Sequence, residues 1–268
     1  MSGPVIVFLH GFPEFWYGWH RQIDYFAGLG YRVIVPDQRG YNRSDKPPGV
    51  RAYTTDWLVK DVVELIQSTG STKVTLVGHD WGAIVAWLVA EAYPQLLHRL
   101  VILNVPHPSV MRQTLRTTPR QMLKSWYAGF FQIPWLPERL MRLFNFAPMV
   151  RSLQSSSRPG TFSEQDLQRY REAWSQPGAL TSMLNWYRAF SLYQEEALSG
   201  KKIAVPSLIL WGVRDVALIP EMARASADCC EQATLHFFED ATHWVQHEKT
   251  EEVNRLITEF IADSPTGL

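Results

Sequence analysis

Short, near-continuous apolar runs alternate along this chain with longer amphipathic stretches, and that rhythm restricts the fold more than any other property of the sequence. Residues 4–9, 31–36, 73–77, 99–104, 207–211 and 233–238 have the composition of strands. A run that is apolar on both faces suits a parallel sheet covered by helices on both sides. Between them, residues 19–29, 54–69, 81–93, 220–227 and 249–261 carry helical spacing. Strand–helix alternation of this kind predicts right-handed crossovers and an α/β fold with a mostly parallel, doubly wound sheet. The helix over residues 57–66 is expected to pack into the core.

One interval breaks the rhythm. From about 105 to 202 no strand pattern occurs, but helical patterns rich in Trp, Tyr, Phe and Arg do. The predicted organisation is a core made of residues 1–105 and 203–268, with a helical cap of residues 106–202 inserted after the strand that ends near Asn104. The cap would lie over the carboxyl edge of the sheet, where open α/β sheets bind their ligands. Within it, residues 155–160 read as a loop.

The chain has 268 residues, 46% of them hydrophobic, with 11 Trp, 10 Tyr and 13 Phe. That suffices for a sizeable core and leaves aromatic side chains to line a pocket. The 26 basic and 26 acidic side chains cancel. The balance gives no electrostatic reason to expect nucleic acid or an anionic membrane as partner, so the expected ligand is small and largely uncharged. Cys229 and Cys230 are neighbours and cannot staple distant segments, which predicts a reducing, cytoplasmic setting. No apolar run reaches the roughly 18 residues of a bilayer-spanning helix. The first residues show no basic segment leading into a long apolar region, so no signal peptide is expected. His243 and His247 are four apart, but lack the glutamate of HExxH and a third ligand, so neither metal nor other cofactor is expected.

The stretch Val74-Thr75-Leu76-Val77-Gly78-His79-Asp80-Trp81-Gly82-Ala83 carries the most chemistry. A buried strand runs into a small-x-nucleophile-x-small turn and then directly into a helix. Glycine is needed at 78 and 82 because the turn is tight and the helix packs close to the strand. Asp80 occupies the position that serine holds in serine hydrolases. The turn would lift its carboxylate into the pocket, near the positive end of the following helix. There an anionic oxygen attacks carbon without first losing a proton. An aspartate that merely capped the helix would not need both glycines.

The ester so formed needs a base to activate water, and the base needs an orienting acid. Asp215 stands just past the strand at 207–211, and His243 just past the last strand; the order nucleophile, acid, histidine is the α/β-hydrolase order. Asp240, also near His243, is expected to be a solvated loop residue. After the first strand, His10-Gly11-Phe12-Pro13-Glu14 would aim the Phe12 N–H at the pocket beside that of Trp81, making an oxyanion hole. His10 itself is expected to be a structural hydrogen-bonder, and His107, between Pro106 and Pro108, to organise the exit into the cap.

HGFPE, GHDWGA and the late Asp and His together resemble the epoxide hydrolase and haloalkane dehalogenase branch of the α/β-hydrolases, specifically the soluble epoxide hydrolases, from Pro4 to about Ile261. The resemblance implies the α/β-hydrolase fold with its cap, and conversion of a hydrophobic epoxide to a vicinal diol. It also implies two cap tyrosines that hydrogen-bond the epoxide oxygen. Residues 126–134 (WYAGFFQIP) are similar to the family's first tyrosine segment, with the match on Tyr127. Residues 185–189 (NWYRA) are similar to the second, with the match on Tyr187. Asp80 would attack an epoxide carbon while Tyr127 and Tyr187 protonate the oxygen, and Phe12 and Trp81 would contact substrate. Water activated by His243, with Asp215 holding the imidazole, would then release the diol, with an acid limit near the reference pKa of about 6.5 unless the site shifts it. The family's sheet ordinarily begins with two strands ahead of the one at Pro4, so an exposed sheet edge is expected.

The same nucleophile serves a haloalkane-type dehalogenase. Such enzymes cradle a halide with N–H donors; Trp81 could be one, but a second is commonly an Asn where this chain has Phe12. Fluoroacetate dehalogenases use arginines after the elbow and a cap His-Trp pair, where this chain has Trp81, Ile84, Tyr127 and Ala128. A non-catalytic, ligand-binding member would commonly have lost the nucleophile or the histidine, and Asp80 disfavours a serine-type esterase. Residues 133–137 (IPWLP) leave two options open, packing within the chain or against a second subunit of a homodimer.

Overall fold

A computed structural model describes residues 3–190, 192 and 202–262. The described residues alternate as the apolar runs predict: β1 (Val5–Leu9), α1 (His20–Gly28), β2 (Arg32–Ile34), α2 (Thr55–Ser68), β3 (Val74–His79), α3 (Trp81–Ala92) and β4 (Leu97–Leu103). Among the described residues, six helices follow before the sheet resumes: α4 (Pro108–Thr117), α5 (Pro119–Lys124), α6 (Trp126–Phe130), α7 (Leu136–Ser156), α8 (Glu164–Trp174) and α9 (Ala179–Phe190). The chain then closes with β5 (Ser207–Gly212), α10 (Glu221–Ala227), β6 (Ala233–Phe238), α11 (Val245–Glu248) and α12 (Thr250–Ala262).

The strands form one sheet in the order β2-β1-β3-β4-β5-β6, every pairing parallel. Because side chains alternate across a strand, each central strand feeds two cores. Val7, Leu9, Leu76 and Ile102 join α2 and α3 on one face; Ile6, Phe8, Val77 and Leu103 join α1 and α12 on the other. Helix α3 is buried over ten of its residues, as befits a helix that is apolar all round. The expected exposed edge is β2, only three residues long, with Arg32 exposed; β1 lies inside the sheet, paired on both sides.

The structure corrects the sequence reading at two places and adds a break that the sequence reading did not contain. Ser155 and Ser156 are the end of α7, not loop, because Ser156 Oγ donates to the Ser152 carbonyl at 2.7 Å and satisfies the helix end; the loop begins at Ser157. In α2, Leu58, Val62 and Ile66 are core, but Trp57 is 45% exposed and lies beneath the cations of Arg39 and Lys60. Helix α7 is interrupted at residues 143–146, where Phe144, Asn145 and Phe146 all take positive φ. None of the described helices is long and apolar enough to cross a membrane.

Candidate active site

The β3–α3 turn holds Asp80 at φ 49°, ψ −125°, a strained backbone for a residue with a Cβ. The glycines that flank it have no room for side chains. A Cβ on Gly78 would lie 2.6 Å from the Gly82 carbonyl, and one on Gly82 would collide with the carbonyls of Leu9 and His10. The cost of the turn is thus borne where β1, β3 and α3 converge, and the Asp80 side chain stands at the carboxyl edge of the sheet.

Both carboxylate oxygens of Asp80 have defined neighbours. The Phe12 N–H donates to Oδ1 at 2.6 Å, and Oδ2 faces His243 Nε2 at 3.6 Å. Trp81 is the first residue of α3, so its N–H is among those that no intrahelical carbonyl can satisfy. Behind the imidazole, His243 Nδ1 donates to Asp215 Oδ2 at 2.7 Å. Asp215 also accepts from Asn104 Nδ2 at 2.8 Å and from the Ala217 and Leu218 N–H groups at 2.7 and 3.0 Å. Asp240 does not compete, being bonded to Lys249 and Arg158 at the surface.

Charge follows from this packing. Burial pushes the Asp80 carboxyl upward, but the hydrogen bond and charge of His243 outweigh it and hold Asp80 below the usual carboxylate range. Asp215 is likewise lowered, burial being outweighed by His243 and by the Asn104 and Leu218 donors. Burial alone would lower His243, yet the two carboxylates raise it to about 10. The reference value of about 6.5 therefore does not apply while Asp80 is ionised.

Across the cavity, α6 carries Tyr127 and α9 carries Tyr187, with ring centroids 6.1 Å apart. Tyr187 meets the Trp81 ring edge-on at 4.9 Å and the Phe12 ring at 5.3 Å. Burial, and then the Asp80 charge, raise both phenols above their ordinary value, so both remain protonated donors. A cavity of about 690 Å³ is lined by Asp80, His243, both tyrosines and apolar side chains such as Met149 and Leu153. A second, of about 110 Å³, reaches Asp80 and the same tyrosines from the side of Trp81 and Met111. The structure thus brings Asp80, His243, Asp215, Phe12, Trp81, Tyr127 and Tyr187 to one place. His10 accepts from the Gln38 N–H at 3.1 Å and lies outside the cavity lining, and His107 caps α4 through Ser109.

Three features were not read from sequence. Asn104, at φ 50°, bridges the ends of β4 and β5: it donates to Asp215 and its Oδ1 accepts the Gly212 N–H at 2.8 Å. A polar residue closing an apolar strand was the available signal. Lys124 Nζ donates to the Asp215 and Val216 carbonyls at 3.0 and 2.8 Å, tying α5 to that loop. Beneath the elbow, Glu14 is wholly buried and takes bonds from Tyr170 at 2.6 Å, His247 at 2.7 Å and Gln246 at 3.0 Å. His79 joins this cluster and donates through Nε2 to the His243 carbonyl at 2.9 Å. His247 is therefore turned away from His243, the two rings serving different carboxylates.

The chain resembles known proteins along nearly its whole length. A family model described as alpha/beta hydrolase fold matches residues 4–250. AB hydrolase superfamily protein YfhM of Bacillus subtilis is 45% identical over 97% of this chain and 91% of its own length. Epoxide hydrolase 4 of Homo sapiens is 37% identical over 97% of this chain and 73% of its own. Among solved structures, a Bacillus megaterium epoxide hydrolase in complex with an inhibitor superposes with a TM-score of 0.88 at 33% identity, covering 98% of this chain and 94% of that one.

Proposed function

We propose that this chain, which belongs to the alpha/beta hydrolase fold family and within it to the epoxide hydrolases, converts a hydrophobic epoxide to a vicinal diol through an ester on Asp80. The observation that supports this reading most is the division of labour at Asp80. One oxygen is held by the Phe12 N–H while the other faces a histidine–aspartate pair, with two protonated phenols across the same cavity. On this reading residues 106–202 act as the cap over a core of residues 1–105 and 203–268. The apolar lining supplies affinity for a hydrophobic substrate, and the adjacent free thiols of Cys229 and Cys230 suit a cytoplasmic setting.

In the first half-reaction Asp80 Oδ2 attacks an epoxide carbon and the C–O bond opens. Tyr127 and Tyr187 hydrogen-bond the leaving oxygen, and one gives up its proton to form the hydroxyl. The ester that results has lost the Asp80 charge, which is one of the two that hold His243 protonated. The imidazolium passes its proton to the tyrosinate, and the neutral imidazole then takes a proton from water, whose oxygen adds to Asp80 Cγ. Negative charge builds on Oδ1, already at the Phe12 N–H, and the neighbouring Trp81 N–H is proposed as the second donor. Collapse expels the diol oxygen, which takes the proton from His243. The Asp80 carboxylic acid left behind gives its proton to His243, which restores the resting pair.

Single turnover with enzyme in excess, in water enriched in heavy oxygen, tests this directly. The diol should carry unlabelled oxygen from the enzyme, with the label appearing in the peptide that contains Asp80. A diol whose new oxygen comes straight from solvent would rule out the ester.

A further inference from the structure

The overall charge balance conceals a segregation. Residues 106–160 carry eight basic side chains against one acid, Glu138, and Glu138 is buried and paired with Arg188 at 2.8 Å. The same stretch holds the four most exposed large apolar side chains of the described residues: Phe144 at 85%, Leu123 at 76%, Trp126 at 69% and Trp135 at 64%. Single exposed apolar residues are ordinary, but a group of them set among cations marks an interaction surface.

Trp126 places this group beside the larger cavity. Trp126, Leu140, Leu143 and Val216 line the cavity and are also exposed, so the opening runs between α5–α6 and the break in α7. Cations stand among them: Lys124 on the cavity wall, Arg139 with its guanidinium 5.9 Å from the Trp135 ring, and exposed Arg142. Among the eight, Arg120 lies 3.4 Å from Glu221 and Arg158 lies 3.0 Å from Asp240. The break in α7 sets the direction of its aromatic side chains. Three successive left-handed residues without glycine are an unfavourable backbone, and here they turn Phe146 inward against Trp174 while Phe144 projects outward.

We propose that this face docks on an anionic phospholipid bilayer, with Leu123, Trp126, Trp135 and Phe144 in the headgroup region and Arg139 and Arg142 on lipid phosphates. The cavity would then open onto the membrane in which a hydrophobic substrate dissolves. A second copy of the chain suits the face less well. An isologous contact lays the patch on itself, which sets the cations of one copy against those of the other. Docking is independent of the chemistry at Asp80; only the route of substrate entry rests on that reading.

Sedimentation with lipid vesicles reads the interaction without turnover. The full chain is expected to sediment with phosphatidylglycerol vesicles, to stay in solution with pure phosphatidylcholine vesicles, and to be released as salt is raised. Arg139→Glu with Arg142→Glu should weaken partitioning by about tenfold or more. Leu123→Gln with Phe144→Asn should do the same through lost apolar contact, Asn being at ease in the left-handed backbone. Thermal unfolding of both double variants should match the parent and so separate docking from folding. The proposal is overturned by equal binding to both vesicle types, by no binding to phosphatidylglycerol, or by variants that fold and bind as the parent does. A concentration-dependent dimer lost in these variants, without vesicle binding, would assign the face to a second copy instead.

Discussion

On the sheet side of the cavity, the Asp215 carboxylate accepts four hydrogen bonds from groups at 104, 217, 218 and 243; on the opposite side, Tyr127 and Tyr187 are held by the edges and faces of neighbouring rings. The sheet side is directional and buried, built on the ends of β3, β4 and β5. The other side is apolar packing that tolerates small displacements. The insertion is itself uneven. Helix α9 is tied to the core by Trp186 Nε1 donating to the Arg39 carbonyl at 2.9 Å and by Tyr53 donating to Ser182 Oγ at 2.8 Å. Helix α6 has five residues, none of them buried. On the proposed chemistry, damage to the sheet side should abolish a step, whereas damage to the insertion should grade a rate according to how firmly each helix is held.

The largest expected effect is on the sheet side. His243→Gln should leave alkylation of Asp80 intact and slow ester hydrolysis by about 10⁴-fold, the scale seen when a member of such a set is removed. Intact-mass spectrometry should show the chain trapped with one substrate added. Parental turnover by this variant would end the distinction between the two sides.

A smaller effect separates the two tyrosines. Tyr187→Phe should slow alkylation by about 100-fold, within the usual range for a lost proton donor, and Tyr127→Phe by about tenfold. Both keep the ring packing, so pre-steady-state alkylation rates isolate the hydroxyl. An equal loss, or the reverse order, would show that anchoring of α9 does not decide which phenol dominates.

Asn104 tests whether the sheet side depends on its supports. Asn104→Ala removes a buried donor from Asp215 and should cost about 1–3 kcal/mol of stability in urea unfolding. It should also slow ester hydrolysis by about tenfold while alkylation changes less. Equal slowing of both half-reactions would mean that Asn104 only holds the fold.

How much of this was legible in the sequence depended on whether the constraint was local. Val74 to Ala83 states its geometry in ten consecutive residues, because a strand, two glycines and an apolar helix are needed at fixed spacing. The six strands were legible because a parallel sheet buries both faces. Asn104 was not, since its partners lie more than 100 residues away and one polar residue at a strand end has many uses. Glu14 was seen within its motif, but Tyr170, Gln246 and His247 converge on it from distant segments. The break at residues 143–146 contains neither glycine nor proline; Asn145 within it and Pro148 just past it were weak signals that the helical pattern masked. Net charge, being a sum, could not reveal that residues 106–160 carry eight basic side chains and one acid.

The smallest effect, on rate near neutral pH, concerns His243 itself. In the resting enzyme burial would lower it, but Asp215 and Asp80 raise it to about 10. An ester on Asp80 abolishes one of those charges and leaves burial and Asp215 in place. The histidine should therefore have a lower pKa in the ester than in the resting enzyme. Because the neutral imidazole is the base, hydrolysis should be fast above that lower value and fall tenfold per pH unit below it. Stopped-flow hydrolysis of the pre-formed ester across a pH series gives one value, and titration of the His243 ring by NMR in the free enzyme gives the other. Coincident values would mean that Asp80 does not govern the histidine. Hydrolysis that stayed fast at acid pH would remove His243 as the base and make the sheet side, like the other, a matter of packing alone.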